Sequence, residues 1–266
     1  MTDELAGALA GALAGEGTPE EQWQAWPELT RWPLLDLSSP PAGLVVVAPH
    51  PDDEILGVGG LISLLARGGA RVHLIAVTDG EASHPGSPTL SGAELADRRR
   101  AESSEALHKL WVGKASVERL GLPDGGVRDV EKRWATITAA VMRAVSRLES
   151  LGPVWCLAPW PRDGHPDHDA AGQAAVIAAS GVARVLTYPV WMWHWSSPGD
   201  LRVPWSFARR VVLPPDIHEA KQAAVQCFQT QIAPLSNHPA DAAILPPAVL
   251  RRLIRHTEIV FDSGPA

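Results

Sequence analysis

Two short polar stretches interrupt otherwise apolar text. Residues 48–54 read APHPDDE and follow the run Leu44–Val47; residues 158–169 read APWPRDGHPDHD and follow the run 154–157. Asp52, Asp53 and Glu54 repel one another when ionised, so a purely structural turn would avoid placing them side by side. A positive group in front of them would remove that penalty. The second stretch repeats the His-Pro-Asp theme, with His165, Asp167, His168 and Asp169. Imidazoles and carboxylates in this proportion suit a mononuclear catalytic zinc, which takes three protein ligands and keeps a fourth position for water. A His-x-x-Asp spacing across a strand-to-helix turn can bring His50 and Asp53 to one point. Asp52 leaves the backbone in another direction and stays unligated. His168, at the start of the second helix, is then the third ligand. An Asp ahead of a helix is often only an N-cap, but two clusters sharing one motif exceed what capping requires.

These residues need a scaffold that brings two strand ends together. Leu44–Ala48 is predicted as a buried strand, Glu54–Arg67 as a helix closed by Gly68 and Gly69, and Val72–Val77 as the next strand. A helix over Gly92–Leu110 and a short strand at 116–120 follow. Val130, Trp134, Ile137, Val141, Val145 and Leu148 recur at steps of three and four, which is one helical face. Residues 154–159 form another strand, Asp167–Ala179 a small-residue helix, and 183–190 a further strand. This alternation, with continuous apolar strands, predicts an α/β fold in which a mostly parallel sheet is covered on both faces as three layers. Ligands in such sheets bind beyond the carboxyl ends of the strands, where both polar clusters fall. Residues 1–40 read as an N-terminal helix and strap, and 41–266 as a single domain.

The chain has 266 residues, 45% apolar and 20% charged, with a net charge of −7. That balance opposes a general nucleic-acid binder, which needs a basic face. No stretch nears the roughly 20 apolar residues of a membrane span. The N-terminus opens on acids with no basic region and makes a poor signal peptide. Cys156 and Cys227 form no CxxC pair and read as reduced core residues of a cytoplasmic protein. Eleven tryptophans stand against one tyrosine and three phenylalanines. Either they serve as core filler or some face a flat ligand such as a sugar. Read as an extended segment, residues 188–205 place Trp191, Trp193 and Trp195 on one side, as a rim over the metal pocket or as a packed strand edge. His194 reads as a surface residue. His84 and His238 lie outside the metal sphere, and Arg98–Arg100 is a solvated helix face with Arg99 turned inward.

APHPDDE together with DGHPDH resembles the LmbE-like (PIG-L-type) zinc-dependent N-deacetylases, and VTDGEAS, RRRAESSEAL, RLGLPDGGV and KQAAVQCFQTQI extend the likeness over about residues 44–236. The resemblance implies a Rossmann-like fold and removal of an N-acetyl group from an N-acetylglucosamine-type sugar conjugate or related amide. It implies Zn2+, or another divalent metal such as Fe2+, on His50, Asp53 and His168. Asp52 is then the general base, His165 the stabiliser of the developing oxyanion, protonated with help from Asp167. Arg99 and Asp124 match substrate-side residues. Asp163 stands where some sugar deacetylases place a mobile tyrosine. The partner implied is a small N-acyl sugar, with no nucleic acid; a homo-oligomer is compatible with the text. Glu54 begins the helix, where negative charge is favourable. The rival readings are a non-catalytic sugar-binding protein of the same fold, a non-haem iron oxygenase built on His50, Asp52 and a distant histidine, and hydrolysis of an ester or another amide.

Overall fold

Residues 44–48 carry apolar side chains at every position, so a strand built from them must bury both faces. The computed structural model, which describes residues 15–129 and 131–262, places this strand, β1 (Gly43–Ala48), in the middle of a seven-stranded sheet. Val45 and Val47 face one helical layer, while Leu44, Val46 and Ala48 face the other. The remaining strands are β2 (Arg71–Ala76), β3 (Ser116–Arg119), β4 (Val154–Pro159), β5 (Arg184–Tyr188), β6 (Ala208–Val212) and β7 (Thr257–Asp262). Their order is β3-β2-β1-β4-β5-β7-β6. The first five are parallel; β7 runs antiparallel to β5 and to β6.

Chain order reverses between β1 and β4, which pair directly with Gly43 opposite Val154. Connections leave these neighbours in opposite directions and open a crevice at their carboxyl ends, the usual ligand position in an open α/β sheet. Both polar clusters emerge into that crevice.

Helix α1 (Glu20–Gln24) belongs to the N-terminal strap. One face of the sheet carries α2 (Asp53–Arg67), α3 (Gly92–Lys109) and α7 (Pro215–Val225); the other carries α4 (Glu131–Glu149) and α5 (Pro166–Ala179). Between β5 and β7 lie the short helices α6 (Met192–Trp195), α8 (Gln229–Ile232) and α9 (Pro247–Leu253). The predicted face of α4 is buried at Ile137, Val141, Val145 and Leu148, with Trp134 packed beside them. Val130, predicted on that face, lies outside the described residues, as do residues 1–14 of the strap.

Residues 188–205 are not extended. Met192–Trp195 turn as a helix because the amides of Val190, Trp191 and Met192 converge on one buried carboxylate, that of Asp163. Successive tryptophans therefore point in different directions. Trp193 enters an indole cluster with Trp23, Trp26, Trp32 and Trp205, its ring 4.9 Å from that of Trp23. Core filling explains these five rings, and the same cluster fastens the strap onto the domain.

Candidate metal centre

His50 ends the turn after β1, and Asp53 begins α2. Their spacing closes a local loop: the Asp53 carboxylate accepts the His50 backbone N–H at 2.9 Å and lies 3.1 Å from its Nδ1. His168 sits one turn inside α5, which β4 delivers alongside. Its Nε2 lies 3.1 Å from the same Asp53 Oδ2. Asp53 Oδ2 thus lies 3.1 Å from a ring nitrogen of each predicted histidine ligand across the β1/β4 crevice.

A test of fit for a cation lies in His168. Its Nδ1 lies 2.8 Å from Asp163, so a neutral His168 that donates there presents its Nε2 lone pair. That Nε2 is buried and makes no hydrogen bond among the described residues, although Asp53 Oδ2 is close. With a neutral His168, Nε2 and Asp53 Oδ2 face each other as two acceptors at 3.1 Å, an arrangement that a bound cation would satisfy. His50, His165 and His168 also have ring nitrogens within 4.8 Å of one another, and His50 clusters similarly with Asp124 and Asp167. Asp53 Oδ2, 3.1 Å from His50 Nδ1 and from His168 Nε2, stands beside the same histidines. The His165 Nδ1 accepts the Asp167 backbone N–H at 3.2 Å, so a neutral His165 carries its proton on Nε2 and acts as a donor.

The electrostatics have the same sign. Burial acts against charge on His50, but Asp124, Asp167 and Asp53 outweigh it and hold the pKa well above the ordinary value. His168 is likewise pulled up to about 9, burial being overcome by Asp53 and Asp163. Asp53 is held far below the carboxylate range, its burial overridden by His168 and His50. These carboxylates demand positive charge at this point, and a divalent cation on neutral imidazoles would supply it.

Asp52 has φ 141°, a backbone region that non-glycine residues rarely occupy. Such strain costs on the order of 1–3 kcal/mol and persists where the surroundings impose it. Here the imposing groups are the buried Arg99 guanidinium, 3.1 Å from Asp52 Oδ2 and also bound to Pro51 O and Gly80 O. Gly80 has φ 70°, and a Cβ there would collide with the Arg99 guanidinium, so glycine is required. Burial pushes Asp52 up to about 7, with Arg99 opposing and Asp53 adding to the rise. Arg99 is therefore inward as expected.

Asp167 departs from the expected role. Its carboxylate accepts the backbone N–H groups of Gly125 and Val127 at 2.8 and 2.9 Å and approaches His50 Nε2, while its contact with His165 is through backbone N–H. His165 is held down to about 3 by burial, then by His50 and His168, with Asp167 and Asp53 opposing. Glu54 differs too: it is fully buried, and burial lifts its pKa to about 8, which disfavours its charge at the helix terminus.

A cavity of about 290 Å³ opens on this cluster. His50, Asp52, Arg99, Asp124 and His165 line its floor, and Leu56, Val190, Trp191, Ile244 and Leu245 form an apolar wall. Trp191 is where the rim reading placed it. Trp193 is not: it is 4% exposed in the core, because the α6 turn rotates it away. His194 is buried and bonded to Arg252, not a surface residue. His84 and His238 stay outside the cluster; the latter accepts the Ala240 N–H and caps a turn. Asp163, Ser83, Gln231, Ile244 and Leu245 were not identified as site residues. Asp163, Ser83 and Gln231 stood in stretches with a recognisable pattern, DGHPDH, VTDGEAS and KQAAVQCFQTQI; Ile244 and Leu245 did not.

The sequence profile of the PIG-L family, described as GlcNAc-PI de-N-acetylase, matches residues 45–179, which hold both polar clusters. The chain belongs to the PIG-L family. Among curated PIG-L-like relatives, diacetylchitobiose deacetylase of Thermococcus kodakarensis is 33% identical over 138 residues, covering 52% of this chain and 49% of the relative. A 1D-myo-inositol 2-acetamido-2-deoxy-alpha-D-glucopyranoside deacetylase of Saccharopolyspora erythraea is 28% identical over 186 residues, 63% of this chain and 68% of its own. The chain thus spans about half the length of the first of these. Among solved structures, the conserved protein TT1542 of Thermus thermophilus superposes with a TM-score of 0.58 at 26% identity, covering 84% of this chain and 95% of that one.

Proposed function

We propose that this PIG-L chain is a zinc-dependent hydrolase that removes the N-acetyl group of an N-acetylglucosamine-type sugar conjugate or related amide. The observation that carries the reading is the meeting of His50, Asp53 and His168 beside an unligated, strained Asp52. His50, Asp53 and His168 would hold a divalent ion, which would supply Lewis acidity and a water of pKa about 7. Asp52, fixed by Arg99, takes the proton of the attacking water at Oδ and returns it to the departing nitrogen. A placed acid–base group of this kind is worth about 10²- to 10⁴-fold. His165 donates its Nε2–H to the carbonyl oxygen as that oxygen gains charge. Loss of one such donor commonly costs about 2.7–4 kcal/mol. Asp167 holds the 125–127 turn and so positions Asp124 on the cavity floor. Arg99, Asp124 and Trp191 contact the substrate; Trp193 supports the fold.

The deacetylases named among the relatives support the N-acetyl sugar class. The α/β sheet disfavours the iron oxygenase, and retention of a strained Asp52 disfavours a binding protein that has no use for a base. Among the described residues no helix is long and apolar enough to cross a membrane. The two cysteines are free and buried, which fits a reducing cytoplasm. The test is acetate release from a panel of N-acetyl sugars and sugar conjugates, with metal analysis of the same protein. Sugar binding without acetate release would leave a binding module; oxygen consumption with bound iron would favour the oxygenase.

A further inference from the structure

The Asp163 side chain is fully buried, and four N–H groups converge on its two oxygens. Oδ1 accepts from Val190 and Met192, both at 2.9 Å; Oδ2 accepts from Trp191 at 2.9 Å and from His168 Nδ1 at 2.8 Å. The Asp163 carbonyl further accepts the Trp195 Nε1–H at 2.6 Å. No mobile group can act from this position, because every acceptor direction is occupied. We infer that Asp163 is a positioning residue that fixes the His168 tautomer, leaving Nε2 bare for a metal, and ties that ligand to the segment presenting Trp191 to the cavity.

The donor count requires a carboxylate. With asparagine, one oxygen becomes an NH2 group. Facing Oδ2's partners, it would oppose the Trp191 N–H and drive His168 to carry its proton on Nε2, the atom needed by the metal. Facing Oδ1's partners, it would oppose the Val190 and Met192 amides and loosen the wall. Either orientation breaks one half of the arrangement. Partners behind a metal-bound histidine typically account for 10- to 100-fold in metal affinity.

The inference rests on the metal reading above, and its test separates the two. Zinc dissociation constants are measured by chelator competition on wild type, Asp163→Ala and Asp163→Asn, well below their melting temperatures, with amide exchange followed at 190–192. Asp163→Ala is expected to weaken zinc binding 10- to 100-fold. Asp163→Asn is expected either to do the same or to speed exchange at 190 and 192. A purely structural role would lower the melting temperature of the Ala variant yet leave its zinc affinity within twofold, which overturns the inference alone. Wild type that binds no zinc overturns the metal reading and the inference with it. Should the variants not fold, 15N spectra of histidine-labelled, zinc-loaded wild type decide: a proton on His168 Nδ1 supports the assignment, and one on Nε2 refutes it.

Discussion

The helix that carries Asp53 is broken, and the break makes a quantitative prediction. At Val58 the backbone leaves helical geometry (φ −144°, ψ 21°). A buried ion pair bonds the groups on either side of this break. Glu258 accepts the N–H groups of Gly60 and Leu61 at 2.7 and 2.8 Å, while Lys221 Nζ donates to Leu56 O at 2.8 Å and to Glu258 at 2.7 Å. Lys221 is 0% exposed and Glu258 4%. Lys221→Met leaves a carboxylate buried without its cation, a loss of about 3–5 kcal/mol. Against a total stability of about 5–15 kcal/mol this is a large share. For a chain of this size it corresponds to a fall of roughly 6–20 °C in melting temperature. Lys221→Met/Glu258→Gln removes the orphan charge and keeps one acceptor for the α2 amides, so it should recover more than half of the loss. Thermal and urea unfolding followed by circular dichroism measure both. A single variant within 1 kcal/mol of wild type, or a double variant less stable than the single, would refute the account.

Three further outcomes are expected. Asp52→Asn should retain zinc and lose about 10²- to 10⁴-fold in turnover; undiminished turnover would remove Asp52 as the base. Trp193→Ala should cost about 3–5 kcal/mol as a cavity in the core, whereas Trp191→Ala should raise KM with little change in melting temperature; the reverse pattern would exchange their roles. His73, on β2, is held below its ordinary pKa by burial, with Arg147 and Arg143 adding and Glu118 opposing. Its neutral form is native, so the stability it contributes is present above about pH 6.5 and is lost as the pH falls toward the folded pKa. Urea titrations at pH 5 and 7 should show a smaller pH slope for His73→Gln than for wild type, and equal slopes would count against the assignment.

Much of the site was legible because it is local. His50 and Asp53 are three residues apart on one turn, and the turn itself brings them to 3.1 Å. The strands could be read because parallel strands buried on both faces need apolar residues at every position. The order of those strands then places the two motifs on neighbouring ends. The Trp-rich segment was misread because alternation of indoles along a sequence does not specify an extended backbone. Three amides captured by Asp163 turned it into a helix instead, and Trp191 and Trp193 separated.

The residue types and spacings by themselves determined the α/β alternation and the approach of His50 to Asp53, since these depend on the chain within a few residues of each group. Tertiary structure alone decided which partner each buried carboxylate accepts. Asp167 bonds the 125–127 turn, Asp163 gathers the amides of 190–192, and Glu258 bonds the α2 amides, because each acceptor is satisfied by N–H groups from distant parts of the chain that only folding brings within reach.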